Sequence, residues 1–324
     1  MGAVYSARDL HFPNVFKRVA VKEMVNLARD PTIHDTIVHN FEREANILAT
    51  LDHPSIPRIY DYFSHEQRSY LILEFIDGKD LEAILNEAEG FLPEAQVVSW
   101  ALELCDVLNY LHNIRPQPVI FRDMKPSNIM LNTHGHIMLV DFGIAKTFQT
   151  GQKGTMIGTE GYSPPEQYKG EATPLADIYA LGATLHHLLT QRDPRLEPPF
   201  SFGERMIRTL NPAVSVELET IIYTALQYNP NERFSTAKKM QEALLACAKK
   251  TGILSELPTA SSKFKTDTAG SAKALWKFEC EDEIRGSPLY NEGVIYIGSY
   301  DNNLYALQAA TGEFIWKYPT DGGV

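Results

Sequence analysis

Cysteine is scarce: the 324-residue chain has three, Cys105, Cys247 and Cys280, an odd number with no C-x-x-C spacing. That pattern indicates neither a disulfide framework nor a zinc knuckle. Long apolar runs are missing as well. No stretch approaches the ~18 residues a spanning helix needs, so no membrane span is expected. The opening MGAVYSARD has neither a basic leader nor a signal-peptide core of sufficient length, and the expected location is cytoplasmic. Positive charge is in deficit, with 30 Lys and Arg against 41 Asp and Glu for a net of −11, which argues against a nucleic-acid backbone as the main partner. What is present is an ordinary globular composition, 44% hydrophobic and 22% charged. At roughly 150 residues per domain the length suggests about two domains.

Up to about Phe75 the chain reads as short apolar runs broken by one helix. Residues 18–22, 59–63 and 70–75 are strand-like, and Phe41, Ala45 and Leu48 recur at helical spacing. After Gly78 the pattern turns helical: Val97, Ala101, Leu104, Cys105, Leu108 and Leu111 form a stripe behind Pro93. From 248 to 273 periodicity is lost and Ser, Thr, Ala and Gly accumulate, as in a flexible linker. Beyond it short β runs alternate with Asn-Glu-Gly, Asp-Asn-Asn and Thr-Gly. Leu275-Trp276-Lys277-Phe278 returns as Ile315-Trp316-Lys317-Tyr318, 40 residues later, a period that suits one propeller blade.

The densest chemistry lies in Phe121-Arg122-Asp123-Met124-Lys125-Pro126-Ser127-Asn128, followed by Asp141-Phe142-Gly143. Upstream stands Val19-Ala20-Val21-Lys22, then Glu44; downstream stands Gly158-Thr159-Glu160-Gly161-Tyr162-Ser163-Pro164-Pro165-Glu166. Singly these have plainer roles: a strand lysine is ordinarily a solvated edge charge, a helix glutamate a surface acid, Asp-Phe-Gly a turn. In this order, from Gly2 to about Ala246, they resemble the eukaryotic-type protein kinases and specifically their bacterial serine/threonine branch. The resemblance implies a two-lobed α+β fold with domain bounds 1–247, and ATP and Mg²⁺ as substrate and cofactor.

Phosphoryl transfer asks a protein for positioning and charge neutralisation more than for covalent chemistry, and the matched residues answer that need. By resemblance Lys22 meets the α and β phosphates and Glu44 fixes its side chain. The carboxylate of Asp141 and the amide of Asn128 hold Mg²⁺. Asp123 accepts the proton of the attacking hydroxyl, and Lys125 neutralises the γ-phosphate. Lys125 also implies protein serine or threonine as acceptor, with Thr159 bonded to Asp123 and Lys125. Adenine recognition falls to the carbonyl of Glu74 and the N–H of Ile76, with Leu73 as gatekeeper and Val4, Ala20 and Met130 around the purine. Glu166 and Arg233 resemble a buried ion pair, and Asp177 is expected to hold the catalytic loop from below. Arg122 implies regulation through a phosphate in the activation segment, at Thr155 first and Thr150 second.

Two departures stand out. Phe121 occupies the place of the family's loop histidine, where it is expected to stack with Leu48, Ile59 and Phe142. Of the glycine-rich phosphate loop only Gly2-Ala3-Val4 is present, so the N-terminal lobe is expected to lack its first strand and the chain to be a fragment there. Residues 274–324 resemble one repeat of the pyrroloquinoline-quinone-type β-propeller family plus the opening of a second, with further blades expected beyond Val324. The propeller is read as an interaction or sensing module for an unknown ligand or protein, and no quinone cofactor (PQQ) is expected because one blade supplies no quinone pocket. A nucleotide-binding pseudokinase scaffold is the alternative to an active kinase.

Overall fold

The computed structural model describes residues 2–11, 16–25, 41–42, 45–65, 68–142, 159–171, 173–253, 276, 278, 288–291, 293–299 and 303–320. The chain forms two compact units, Met1–Ala260 and Ser261–Val324.

In the larger unit, β1 (Gly2–Asp9), β2 (Lys17–Val25), β3 (Ile59–His65) and β4 (Arg68–Glu74) make an antiparallel sheet in the order β1-β2-β4-β3. Its register sorts the side chains. Val4 pairs with Lys22, Lys22 with Leu71, and Ala20 with Leu73, so Val4, Ala20, Lys22 and Leu73 share one face. On the opposite face Tyr5, Glu23 and Tyr70 meet: the buried Glu23 carboxylate accepts from Tyr5 Oη at 3.0 Å, Tyr70 Oη at 3.1 Å and Arg68 Nη1 at 2.6 Å. Residues 41–42 and 45–49 are helical, and Phe41, Ala45 and Leu48 are buried as their spacing predicts.

The helical lobe follows, with α1 (Leu81–Glu87), α2 (Glu94–His112), α3 (Pro174–Thr190), α4 (Ile207–Leu210), α5 (Val216–Ala225) and α6 (Ala237–Lys250). Pro93 is the N-cap of α2, whose predicted stripe is wholly buried. α3 begins with Pro174, suited to a first turn with no N–H to satisfy, and ends at Gln191 in the left-handed region, φ 57°. The side chains of Ser215 and Thr236 cap α5 and α6 by accepting from the N–H groups of Leu218 and Lys239. α6 runs three residues beyond 247, because Ala248 is buried and the N–H of Thr251 caps the end on the Cys247 carbonyl. A small sheet in the order β5-β6-β7 joins β5 (Gly78–Asp80), which leads into α1, to β6 (Ile129–Asn132) and β7 (Ile137–Leu139), which follow residues 121–128.

The smaller unit holds β8 (Leu289–Asn291), β9 (Val294–Ser299), β10 (Asn303–Gln308) and β11 (Phe314–Pro319), an antiparallel meander in chain order. Tyr305, Ala306 and Leu307 of β10 are its buried centre. Trp276 Nε1 donates to the Ala309 carbonyl at 2.9 Å, and Gly312, at φ 73°, admits the indole where any Cβ would overlap it.

Candidate functional site

Asp177, in the first turn of α3 and 0% exposed, organises the loop that carries Asp123. Its Oδ2 accepts the N–H of Phe121 at 2.9 Å and its Oδ1 the N–H of Arg122 at 2.7 Å. His112, the last residue of α2, donates from Nε2 to Oδ2 at 2.8 Å. An imidazole thus serves this loop from a neighbouring helix although position 121 is Phe. Phe121 meets Phe142 edge to face, ring centroids 5.1 Å apart and planes at 86°, and both lie in one core with Leu48 and Ile59. Thr184, two turns along α3, donates to the Met124 carbonyl at 3.2 Å.

Arg122 takes a left-handed φ of 69°, a conformation that an arginine keeps only where its surroundings impose it. Its N–H is held by Asp177, and its carbonyl accepts from Gln167 Nε2 at 3.0 Å. Burial lowers the pKa of its guanidinium, with the Asp177 carboxylate opposing the shift.

The Asp123 carboxylate is buried and gripped from several sides. Thr159 Oγ1 donates to Oδ1 at 2.6 Å, Asn128 Nδ2 to Oδ2 at 3.0 Å, and Lys125 Nζ stands 3.2 Å from Oδ2 while donating to Thr159 Oγ1 at 2.8 Å. The bonds expected of Thr159 to Asp123 and to Lys125 are both present. Asn128 also gives Nδ2 to the Asp123 backbone carbonyl at 2.9 Å, which turns its amide oxygen the other way. Asp141, at φ 60°, accepts from Lys22 Nζ at 2.6 Å, a bond that spans the strand lobe and the helical lobe. The two candidate metal ligands, the half-exposed carboxylate of Asp141 and the amide oxygen of Asn128, are hard oxygen donors. Such a sparse set fits Mg²⁺, which usually takes one or two protein oxygens and completes its shell with phosphate and water.

Glu44 lies outside the described residues, as do Thr150 and Thr155. The adenine candidates Val4, Ala20 and Leu73 share the Lys22 face of the sheet, and Met130 sits on β6; Val4 is 68% exposed. The Glu74 N–H donates to the Arg58 carbonyl at 2.8 Å, and the Glu74 carboxylate accepts the Arg58 N–H at 3.1 Å, which pins the segment that carries Ile76. A cavity of about 650 Å³ backs this segment, lined by Glu74 and Ile76 together with His53, Arg58, Asn132 and His134; none of Lys22, Asp123, Asn128 or Asp141 borders it.

From Thr159 onward the segment after Asp141 is anchored to the helical lobe. Gly161, at φ 85°, lies so close to the Pro194 carbonyl that a side chain would overlap it. The Tyr162 hydroxyl lies 2.6 Å from His187 Nδ1, and burial raises the tyrosine pKa and lowers the histidine's. Glu166 accepts from Arg233 Nη1 at 2.5 Å and Nη2 at 3.0 Å, the pair expected from the sequence. Arg233 completes its donors with the carbonyls of Leu175, Gln227 and Tyr228, and its guanidinium lies 4.8 Å from the Tyr179 ring centre. Sequence reasoning missed His112, His187 and Gln167. No local motif marks them, since each acts on a residue 25 to 65 positions away.

Comparison with known proteins agrees with this geometry. The family profile described as "Protein kinase domain" matches residues 1–245. The chain is 32% identical over 263 residues to serine/threonine-protein kinase PknB of Mycobacterium leprae, covering 76% of this chain and 40% of that one. It is 35% identical over 270 residues to serine/threonine-protein kinase PknA of Nostoc sp., covering 80% and 46%. It therefore spans less than half the length of these curated relatives. Among solved structures it is similar to PpkA-294 in its apo form, with TM-score 0.61 and 25% identity over 75% of this chain and 91% of that one. The Mycobacterium tuberculosis PknI kinase domain gives TM-score 0.58 and 25% identity, with 76% and 91% covered.

Proposed function

The chain belongs to the protein kinase domain family, and from that premise we propose that it transfers the γ-phosphoryl group of ATP to serine and threonine hydroxyls of proteins, in bacterial signalling. Protein kinases in general use ATP and Mg²⁺. The observation that carries the reading is the convergence on Asp123 of Thr159, Lys125 and Asn128, together with the bond of Lys22 to Asp141. In this reading the acceptor O–H gives its proton to the Asp123 carboxylate. The hydroxyl oxygen bonds to the γ-phosphorus as the bond to the β-phosphate oxygen breaks, and ADP leaves. Lys22 holds the α and β phosphates, and Lys125 offsets the charge of the transferred group. Asp141 and Asn128 would hold Mg²⁺, which supplies charge neutralisation when bound.

Adenine sits against Val4, Ala20 and Met130, with Glu74 and Ile76 as backbone partners and Leu73 behind. Gly2 covers the phosphates from the start of β1, and Glu44 steadies Lys22. Thr155, with Thr150 second, is the regulatory phosphorylation site that meets Arg122. The meander β8–β11 is read as part of a pyrroloquinoline-quinone-type propeller repeat that binds a partner rather than a quinone; its four antiparallel strands and the repeated Trp276 and Trp316 support this.

The test is transfer of labelled γ-phosphate to a protein acceptor with Mg²⁺, read as phosphoserine and phosphothreonine. Asp123→Asn should lower turnover by about 10²-fold or more while ATP binding persists. An inactive wild type that binds ATP would overturn the reading in favour of a scaffold, and so would an Asp123→Asn variant as active as wild type.

A further inference from the structure

Three successive peptide units lead to Asp123, and each is held by a buried side chain. Asp177 takes the N–H of Phe121 and the N–H of Arg122, at 2.9 and 2.7 Å. The third unit consists of the Arg122 carbonyl and the Asp123 N–H, and the left-handed φ of Arg122, 69°, sets its orientation. Its carbonyl accepts from Gln167 Nε2 at 3.0 Å. Because a peptide unit is planar, fixing the Arg122 oxygen fixes the plane from which the Asp123 side chain departs.

Gln167 is 2% exposed and lies on the same run of chain as Thr159, whose hydroxyl donates to Asp123 Oδ1 at 2.6 Å. Ser163 stands midway: its Oγ donates to the Thr159 carbonyl at 3.2 Å and accepts from Gln167 Nε2 at 3.2 Å. One segment therefore grips Asp123 at the carboxylate through Thr159 and at the backbone through Gln167.

We propose that Gln167 is a positioning residue for phosphoryl transfer, acting on Asp123 through the Arg122–Asp123 peptide. The proposal rests on the kinase reading above. Without the amide donor the Arg122 carbonyl loses its buried partner, the left-handed backbone is held from one side only, and the carboxylate swings off line. Nucleotide binding, which uses Lys22 and the strand lobe, is untouched.

The test compares wild type, Asp123→Asn, Gln167→Met and Gln167→Glu in the full chain. Gln167→Met keeps the side-chain length and removes the donor; the unpaired buried carbonyl should lower the thermal midpoint by several degrees, and well below that midpoint kcat should fall about tenfold or more with KM for ATP held, since misplacement of a reacting group alone costs that much. Gln167→Glu has an acceptor where a donor is needed when ionised, and an O–H donor when protonated. Burial favours the protonated form, so its kcat relative to wild type at the same pH should rise severalfold between about pH 8 and about pH 6. A Gln167→Met variant within about twofold of wild type would overturn the role, as would a kcat loss matched by an equal loss of ATP binding. Should Gln167→Met fail to fold, a flat activity ratio for Gln167→Glu across that pH range would overturn it. An inactive wild type refutes the kinase reading itself; an active wild type with unaffected variants refutes only the part assigned to Gln167.

Discussion

In β3 six of seven residues are exposed, whereas in α3 fifteen of seventeen are buried. The contrast extends to polar groups. α3 buries Asp177, Thr184, His186 and His187, and each has a partner: two loop N–H groups and His112, the Met124 carbonyl, the Arg205 carbonyl and the Tyr162 hydroxyl. A satisfied buried polar network admits few arrangements, so the helical lobe fixes geometry. The sheet, with Tyr60, Tyr62 and Phe63 in contact with water, has fewer constraints of that kind. Lys22, mounted on the sheet, reaches Asp141 in the helical lobe through one 2.6 Å bond. Asp123, Lys125, Asn128 and Thr159, which bond to one another, thus share the helical lobe, whereas Lys22 comes from the sheet.

The strongest way to break this contrast is Asp177→Ala. It leaves the N–H groups of Phe121 and Arg122 and the His112 ring without their acceptor. At roughly 1–3 kcal/mol for each unsatisfied buried group, the loss should be about 4 kcal/mol, read as a lower urea midpoint for the kinase unit. A loss below about 1 kcal/mol would mean the helical lobe is less constrained than its bonds suggest.

Acid should sharpen the contrast. Burial pushes His186 down from the ordinary 6.5 to about 4, partly offset by its bond to the Arg205 carbonyl; the Arg205 and His187 charges push the same way as burial. The folded pKa lies below the unfolded one, so the unfolded chain binds the extra proton between these values. The stabilisation is complete above pH 6.5 and is lost as pH falls through about 4. It amounts to about 3 kcal/mol, and His187, lowered also by burial, adds in the same direction. Denaturant unfolding from neutral pH down to about pH 5 should show this decline in wild type and a flatter one in His186→Gln.

The smallest effect belongs to the sheet surface. Tyr62→Thr keeps a β-favouring residue at an exposed position, and stability should stay within about 0.5 kcal/mol. A larger loss by thermal unfolding would show that the outer face of β3 is covered in solution.

How much of this was legible depended on the distance over which each contact is made. Lys22, Asp123, Asn128 and Asp141 stand in short motifs whose chemistry is local, and the alternating runs of β9, β10 and β11 announce themselves through period and turn residues. The N-terminal end of the chain is less legible. The resemblance there rests on Gly2-Ala3-Val4, while pairing carries β1 to Asp9, whose carboxylate stands 3.6 Å from Lys17 Nζ opposite it. Loss of periodicity places the end of the kinase domain at 247, and α6 itself runs to Lys250, with Ala248 buried and Thr251 capping the Cys247 carbonyl. Gln167 and His112 are not marked by the sequence, because their partners, the Arg122 carbonyl and the Asp177 carboxylate, lie 45 and 65 residues away.

Asp177 also sets a clock. The amides of Phe121 and Arg122 belong to no helix or strand, and amides in irregular segments commonly exchange their hydrogens with solvent within seconds to minutes, through small local openings. Here both protons point at one carboxylate with no solvent contact, on a helix at the centre of the lobe. Deuterium can reach them only when the base of the lobe opens, so these two loop amides should exchange with the slowest amides of α3. An isotope-labelling time course would find the active loop recorded among the core.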